Sequence, residues 1–212
     1  MLIGLYGGTF DPVHLGHTHA ALSVKQALDL DEVRMVLAAR PGHREPPVCD
    51  VADRWRMLCL ACAECLGLVA DDAELHRQGK SYTIDTVSSL RASNPAMVPC
   101  WILGQDAYAT LPVWHRWRSL LEHCNLVIVE RPGDERAEPQ EVQSLNATNE
   151  VQRFNKARIG QIYRVHLPMK EVSATDIRAR LAAGKPVEHL LAAPVSTYIT
   201  QHRLYASTEN TI

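Results

Sequence analysis

Nowhere in its 212 residues does the chain hold an apolar run long enough to span a bilayer, and its first residues lack the basic, apolar and small-residue succession of a secretory leader. A membrane partner is therefore not expected, and a cytoplasmic protein is. A cationic excess is missing as well: 22 Lys and Arg stand against 24 Asp and Glu, for a formal net charge of −2. Broad charge-driven binding to nucleic acid or to a lipid surface draws on such an excess, so neither is expected, and any phosphate chemistry must be local. No internal repeat and no low-complexity tract is visible. Without a leader, the six cysteines read as reduced thiols rather than a disulfide framework, and the sequon at Asn146-Ala147-Thr148 carries no meaning.

Short apolar runs of strand length are present at residues 1–6, 33–38, 101–104, 126–130 and 162–167. Segments of helical character lie between and after them: residues 15–30; residues 52–66, with Trp55, Leu58, Cys59, Cys62 and Leu66 at three- and four-residue spacing; residues 82–93, which end before Asn94-Pro95; and residues 176–184, stopped by Gly184 and Pro186. This alternation predicts an α/β fold, a parallel sheet with helices on both faces. One domain over residues 1–212 is the economical reading, with residues 176–205 as a small helical C-terminal part packed back onto it. Residues 131–160 are polar and the least periodic, and read as a surface excursion open to self-association into a homo-oligomer. In such a sheet ligands bind at the carboxyl ends of the strands.

The segment GGTFDPVHLGH, residues 7–17, sits at one of those ends. Gly7 and Gly8 allow either sign of φ and the close approach of a ligand. Thr9, Phe10, Asp11 and Pro12 continue the turn, and His14 and His17 fall at the start of a helix, where unpaired amides and the dipole favour phosphate. Spaced three apart, the two imidazoles share a face. A plain turn and half of a zinc site remain as alternatives, although a zinc site lacks further ligands at the right spacing. The triplet Cys59, Cys62 and Cys65 reads as small residues on a packed helix face, because a cluster site needs a fourth thiolate in phase.

The same segment, with RPGHREPP (40–47), KSYTIDT (80–86), ILGQDAYATLPVWHRW (102–117), VERPG (129–133), VSATDIR (172–178) and VSTYITQHRLY (195–205), resembles the nucleotidyltransferase superfamily with the T/H-x-G-H signature. Within it the chain is similar, over nearly its whole length, to the bacterial nicotinate-nucleotide adenylyltransferases. The resemblance implies a Rossmann-like sheet of adenylyltransferase type and the reaction of ATP with nicotinic acid mononucleotide to give deamido-NAD and pyrophosphate, with Mg2+ arriving on ATP. It implies that His14, His17 and Arg178 are catalytic, and that Gly7, Gly8, Thr9, Phe10, His43, Arg44, Gly104, Asp106, Ser173 and Thr175 join them in binding ATP. Asp106 would accept a ribose hydroxyl or, on a plainer reading, cap a helix over residues 107–111. Thr83, Asp106, Trp114 and His115 would hold the nicotinate nucleotide, the ring against Trp114 and its carboxylate on amides near Thr83 and His115. Trp117 is expected to anchor its loop in the core.

The chain departs from the family pattern at three places. Gly42 precedes His43 where a second proline is usual, with Arg44 following where Lys is frequent. His115 stands where tyrosine is common, and Ser173-Ala174-Thr175 replaces a Ser-Ser-Thr run. The rival functions are a sister adenylyltransferase acting on the amidated mononucleotide or on phosphopantetheine, against which the SYTIDT and LPVWHRW segments speak, and a nucleotide-sensing module without turnover, against which the intact histidines and Arg178 speak.

Overall fold

The computed structural model describes residues 1–42, 46–130, 137–168, 170 and 172–206. Its centre is a six-stranded sheet of β1 (Leu2–Gly8), β2 (Glu32–Leu37), β3 (Leu68–Asp71), β4 (Val98–Gly104), β5 (Asn125–Glu130) and β6 (Ile162–His166), in the order β3-β2-β1-β4-β5-β6. Every pairing is parallel. This is the doubly wound arrangement with its switch point between β1 and β4, where the chain has crossed from one half of the sheet to the other. The helices are α1 (Leu15–Leu28), α2 (Val51–Ala63), α3 (Thr83–Ser93), α4 (Gln105–Ala109), α5 (Leu120–His123), α6 (Gln140–Asn149), α7 (Ala174–Ala182) and α8 (Ala193–Gln201).

Alternation along the central strands feeds two cores. Cys100 and Ile102 of β4 and Val127 and Val129 of β5 face the core that also holds Val24 of α1, Met57 and Leu58 of α2, Ile177 of α7 and Ile199 of α8. Their neighbours Trp101, Leu103, Leu126 and Ile128 face the opposite core with Ile84 and Val87 of α3, Tyr108 of α4, Leu120 of α5 and Val142 of α6. Burial on both faces is what a parallel sheet requires of its strands. Trp117 is buried in the second core, as expected.

Besides the single-turn α5, β3 and α6 were not foreseen. β3 is a four-residue edge strand with the exposed Val69 inside it and the fully exposed Leu66 just before it, and its apolar stretch of Leu68, Val69 and Ala70 runs on from the end of α2 and is too short to stand out. Within the supposed surface excursion, residues 140–149 form α6, which is polar in composition and anchored by Val142 and by Asn146, whose side chain accepts from Tyr108 Oη and donates to Glu138 at 2.7 Å. Arg164 of β6 fastens the same region by donating to Glu130, Glu138 and Glu150 at 2.8–3.0 Å.

The cysteine triplet lies on α2 and the turn after it. Cys62 is buried and Cys59 and Cys65 are half-buried, with every cysteine a free thiol. Burial pushes the thiols of Cys62 and Cys100 up to about 12 and raises Cys124 as well. A raised thiol pKa favours the folded state fully below the ordinary value of 9.0, and the contribution is lost as pH rises toward 12. At pH 8 the native protein is therefore expected to alkylate with iodoacetamide at Cys62, Cys100 and Cys124 at least ~100-fold more slowly than in urea. Equal rates at all six thiols, read by mass spectrometry, would contradict the packed arrangement.

Candidate active site

The turn after β1 is shaped by rings. Neither Gly7 nor Gly8 has a positive φ. Instead, a Cβ on Gly7 would lie 2.5 Å from the Trp101 ring, and one on Gly8 would lie 2.8 Å from the Phe10 ring. The glycines thus make room for two aromatic side chains, which corrects the expectation that conformational freedom demands them. The positive φ falls on Phe10, at 48°, with its ring buried. That ring meets the His17 imidazole edge to face, with centroids 5.1 Å apart.

His14 is the N-cap of α1, and His17 stands three residues into the helix, so the two side chains close a reciprocal capping box. The His14 N–H donates to His17 Nδ1 at 3.3 Å. A ring nitrogen that accepts carries no proton, so the neutral His17 ring holds its proton on Nε2 and presents a donor there. The rings stack with centroids 3.6 Å apart and an interplanar angle of 18°, the shared face that their spacing predicted. One of the expected helix-start amides is already used: Leu15 N–H donates to Leu190 O at 2.9 Å. Among the described residues, no three His, Cys, Asp or Glu side chains gather as a metal-ligating group.

The distal segment arrives by way of Gly16 and Asp11. A Cβ on Gly16 would sit 3.3 Å from Val172 Cβ, so the backbone of α1 and the approach to α7 are in contact. Arg178 of α7 donates through Nη1 to Asp11 O at 2.7 Å, across 167 residues of sequence, and through Nη2 to Thr175 Oγ1 at 3.2 Å. Ser173 is the N-cap of α7 without a side-chain capping bond, and Ser173 and Thr175 are exposed.

Asp11 is the group that sequence reasoning passed over as a turn residue. It is buried at 6 % exposure, accepting from Val48 N–H at 2.7 Å, Cys49 N–H at 3.2 Å and Tyr205 Oη at 2.7 Å. Burial, followed by the contacts with Cys49 and Asp11, raises the Tyr205 phenol, which stays protonated and donates. His43 and Arg44 lie outside the described residues, but both flanks of their segment are fixed. On one side Arg40 exchanges bonds with Ser81, Arg40 N–H to Ser81 Oγ at 3.0 Å and Ser81 N–H to Arg40 O at 2.9 Å. On the other side Val48 and Cys49 are held by Asp11.

The switch-point neighbour of the β1 turn is the end of β4. Gly104 is the N-cap of α4, and Asp106 is in its first turn, not at the cap, with Oδ1 2.6 Å from where a Gly104 Cβ would stand. The helix therefore starts earlier than expected and Asp106 is exposed. Thr83 is the first residue of α3 after the N-cap Tyr82. Tyr82 stacks on His115 with centroids 4.3 Å apart, which brings the α3 start against the loop holding Trp114. Trp114 is half-buried against the second core.

Arg54, also missed, is buried at 2 % exposure. Its place on the buried face of α2, with Met57, Leu58 and Ala61, was a legible signal: a charge on an apolar helix face needs partners.

Residues 5–180 match the family model described as cytidylyltransferase-like. A protein of Pseudomonas syringae pv. tomato named as a probable nicotinate-nucleotide adenylyltransferase is 44 % identical over 206 residues, covering 96 % of this chain and 93 % of the relative. A Pseudomonas aeruginosa protein of the same name is 43 % identical over 206 residues, covering 96 % of each. Among solved structures, Plasmodium falciparum nicotinic acid mononucleotide adenylyltransferase complexed with NaAD matches with a TM-score of 0.74 at 17 % identity, over 96 % of this chain and 97 % of that one. The same protein complexed with APC gives 0.71 at 17 % identity, over 96 % of each chain. At such identity these two matches speak to the fold.

The Asp11–Tyr205 bond predicts that Tyr205→Phe lowers unfolding stability by about 1.5–3 kcal/mol, the range for a hydrogen bond to a charged group. Urea denaturation with an unchanged m-value checks it, and a loss below about 0.5 kcal/mol would contradict the bond's role.

Proposed function

The chain belongs to the cytidylyltransferase-like family and, by full-length similarity, to the nicotinate-nucleotide adenylyltransferases; from that premise we propose the following reading of its site. The enzyme transfers the adenylyl group of ATP to nicotinic acid mononucleotide, giving deamido-NAD and pyrophosphate. The observation that carries the site reading is the bond from Arg178 to the Asp11 carbonyl, which fixes α7 to the turn that leads from β1 into the stacked His14–His17 pair.

The attacking group is a phosphate of the mononucleotide, largely dianionic near neutral pH, so the reaction needs no protein nucleophile and no general base. Its oxygen attacks the α-phosphorus of ATP, and the bond from that phosphorus to the oxygen bridging to the β-phosphate breaks as pyrophosphate departs. The protein's task is alignment of these oxygens and neutralisation of the charge that builds on the leaving group. In this reading His17 donates from Nε2, and His14 and the backbone from Gly7 to Phe10 line the same phosphates. Arg178 brings a fixed cation from the other side, with the Ser173 and Thr175 hydroxyls beside it. Removing one such donor costs on the order of 3 kcal/mol of transition-state stabilisation. His43 and Arg44 would add to the clamp from the 40–47 segment.

Gly104 and Asp106, beside the β1 turn across the switch point, would take the adenosine, with Asp106 accepting a ribose hydroxyl. The pyridine end would lie between the start of α3 and the Trp114 loop. There the ring would stack on Trp114, and amides near Thr83 and His115 would receive the carboxylate. Backbone donors prefer an anionic carboxylate to a neutral carboxamide, which offers its own N–H groups in return. Magnesium enters as part of the substrate MgATP, coordinated largely by phosphate oxygens and water.

Purified protein with MgATP and either mononucleotide, followed by pyrophosphate release, tests both parts. Turnover is expected with the nicotinic acid form; its absence would overturn the reaction, and equal turnover with the amide would overturn the specificity argument. His17→Ala is expected to lower kcat by at least about a hundredfold while the protein stays folded, as checked by circular dichroism. Near-normal turnover would remove His17 from its role.

A further inference from the structure

Arg54 is a buried cation outside the residues that the reaction assigns. Its Nη1 donates to Thr9 O at 2.8 Å and to Ala38 O at 2.9 Å, and its Nη2 donates to Ala39 O at 3.2 Å. Among the described residues no carboxylate lies within ion-pair distance of it, and its Nε is buried without a partner. Burial pulls its pKa below the ordinary range, opposed by attraction to Asp11 and more weakly to Asp50. A guanidinium in this setting is costly to keep for packing alone, because an apolar side chain of similar volume fills such a space without the desolvation penalty.

We propose that Arg54 is a positioning residue for the triphosphate, one that holds the carbonyls of two adjacent strand ends inward so that the Phe10 amide after β1 faces the substrate, while the Arg40 amide after β2 ties its segment to Ser81. In a planar trans peptide the C=O and the following N–H point in opposite directions. With the Thr9 carbonyl held by Arg54 from the α2 side, the Phe10 N–H is directed the other way, and no described group accepts it. The Ala39 carbonyl is held by the same fork, and the opposed Arg40 N–H points to Ser81 Oγ, just before the start of α3. One side chain thus sets the peptide planes after both β1 and β2, which neighbour each other in the sheet. The turn otherwise exposes lone pairs that repel phosphate, so the orientation matters as much as the count of amides. The guanidinium also leaves a fixed positive charge against the turn.

The inference rests on the adenylyl-transfer reading, and the test separates the two. Wild-type enzyme must first turn over MgATP and nicotinic acid mononucleotide; failure there sinks the reading of the site. Given turnover, Arg54→Met removes fork and charge at similar volume and is expected to lower kcat/KM for MgATP by about 100-fold, the scale of a small misplacement of reacting groups. The KM for nicotinic acid mononucleotide should move by less than about threefold, since the pyridine end is held elsewhere. Arg54→Lys keeps the charge but cannot reach three carbonyls in a planar fork, and is expected to recover only part of the loss, remaining about tenfold down. Wild-type kinetics in a folded R54K would overturn the positioning role, as would equal losses for both substrates in R54M. If neither variant folds, the wild-type protein decides: pyrophosphate titrated into labelled enzyme should shift the Phe10 amide resonance at saturation, and an unmoved Phe10 amide would overturn the proposal.

Discussion

The buried Asp11 carboxylate joins parts of the chain that lie far apart in sequence. Its oxygens take the amides of Val48 and Cys49 and the phenol of Tyr205, while its carbonyl takes Arg178. These bonds add polar ties among the β1 turn, the segment leading to α2, the approach to α7 and the C-terminal turn, which already pack on one core. Through them Arg178 of α7 is tied to the backbone of Asp11, three residues before the stacked histidine pair. A carboxylate serves here because it offers several lone-pair sites to donors arriving from different directions, which no neutral side chain of its size matches.

The sheet supplies the platform and rings supply the fit. β1 and β4 end side by side at the switch point, so Gly8 and Gly104 bring backbone close on two neighbouring strands. The space at Gly7 and Gly8 is taken by Trp101 and Phe10, and the Phe10 ring in turn abuts His17. Core packing therefore reaches the histidines through the edge-on contacts of Phe10 and Tyr6 with His17. His17 is held at Nδ1 by the backbone of His14 and on its face by the His14 ring. Rigid placement of a donor is the form of preorganisation that phosphoryl and nucleotidyl transfer need, because the chemistry asks for alignment more than for reactive groups.

Most of this architecture was legible in the sequence where periodicity is strong. Five strands and the helices α1, α2, α3 and α7 follow from apolar spacing and stop signals. β3 escaped because an edge strand of four residues buries little, and α6 escaped because a polar helix held by one buried valine and a hydrogen-bond network has no apolar stripe. At the site, the resemblance in GGTFDPVHLGH pointed to the histidines, but spacing could not reveal why the glycines are there, since their neighbours Trp101 and Phe10 are contacts of the folded chain. Asp11, Tyr205 and Arg54 were passed over for the same reason: their partners lie on other elements, and only Arg54, a charge on an apolar helix face, left a local trace.

The central claim is that His17 and Arg178, on different helices and far apart in sequence, hold one triphosphate. A double-mutant cycle of His17→Ala and Arg178→Ala in kcat/KM for MgATP tests it most directly. The account predicts that the combined loss differs from the sum of the single losses by at least about 1 kcal/mol, as for groups sharing one ligand. Losses that add within about 0.3 kcal/mol would contradict it.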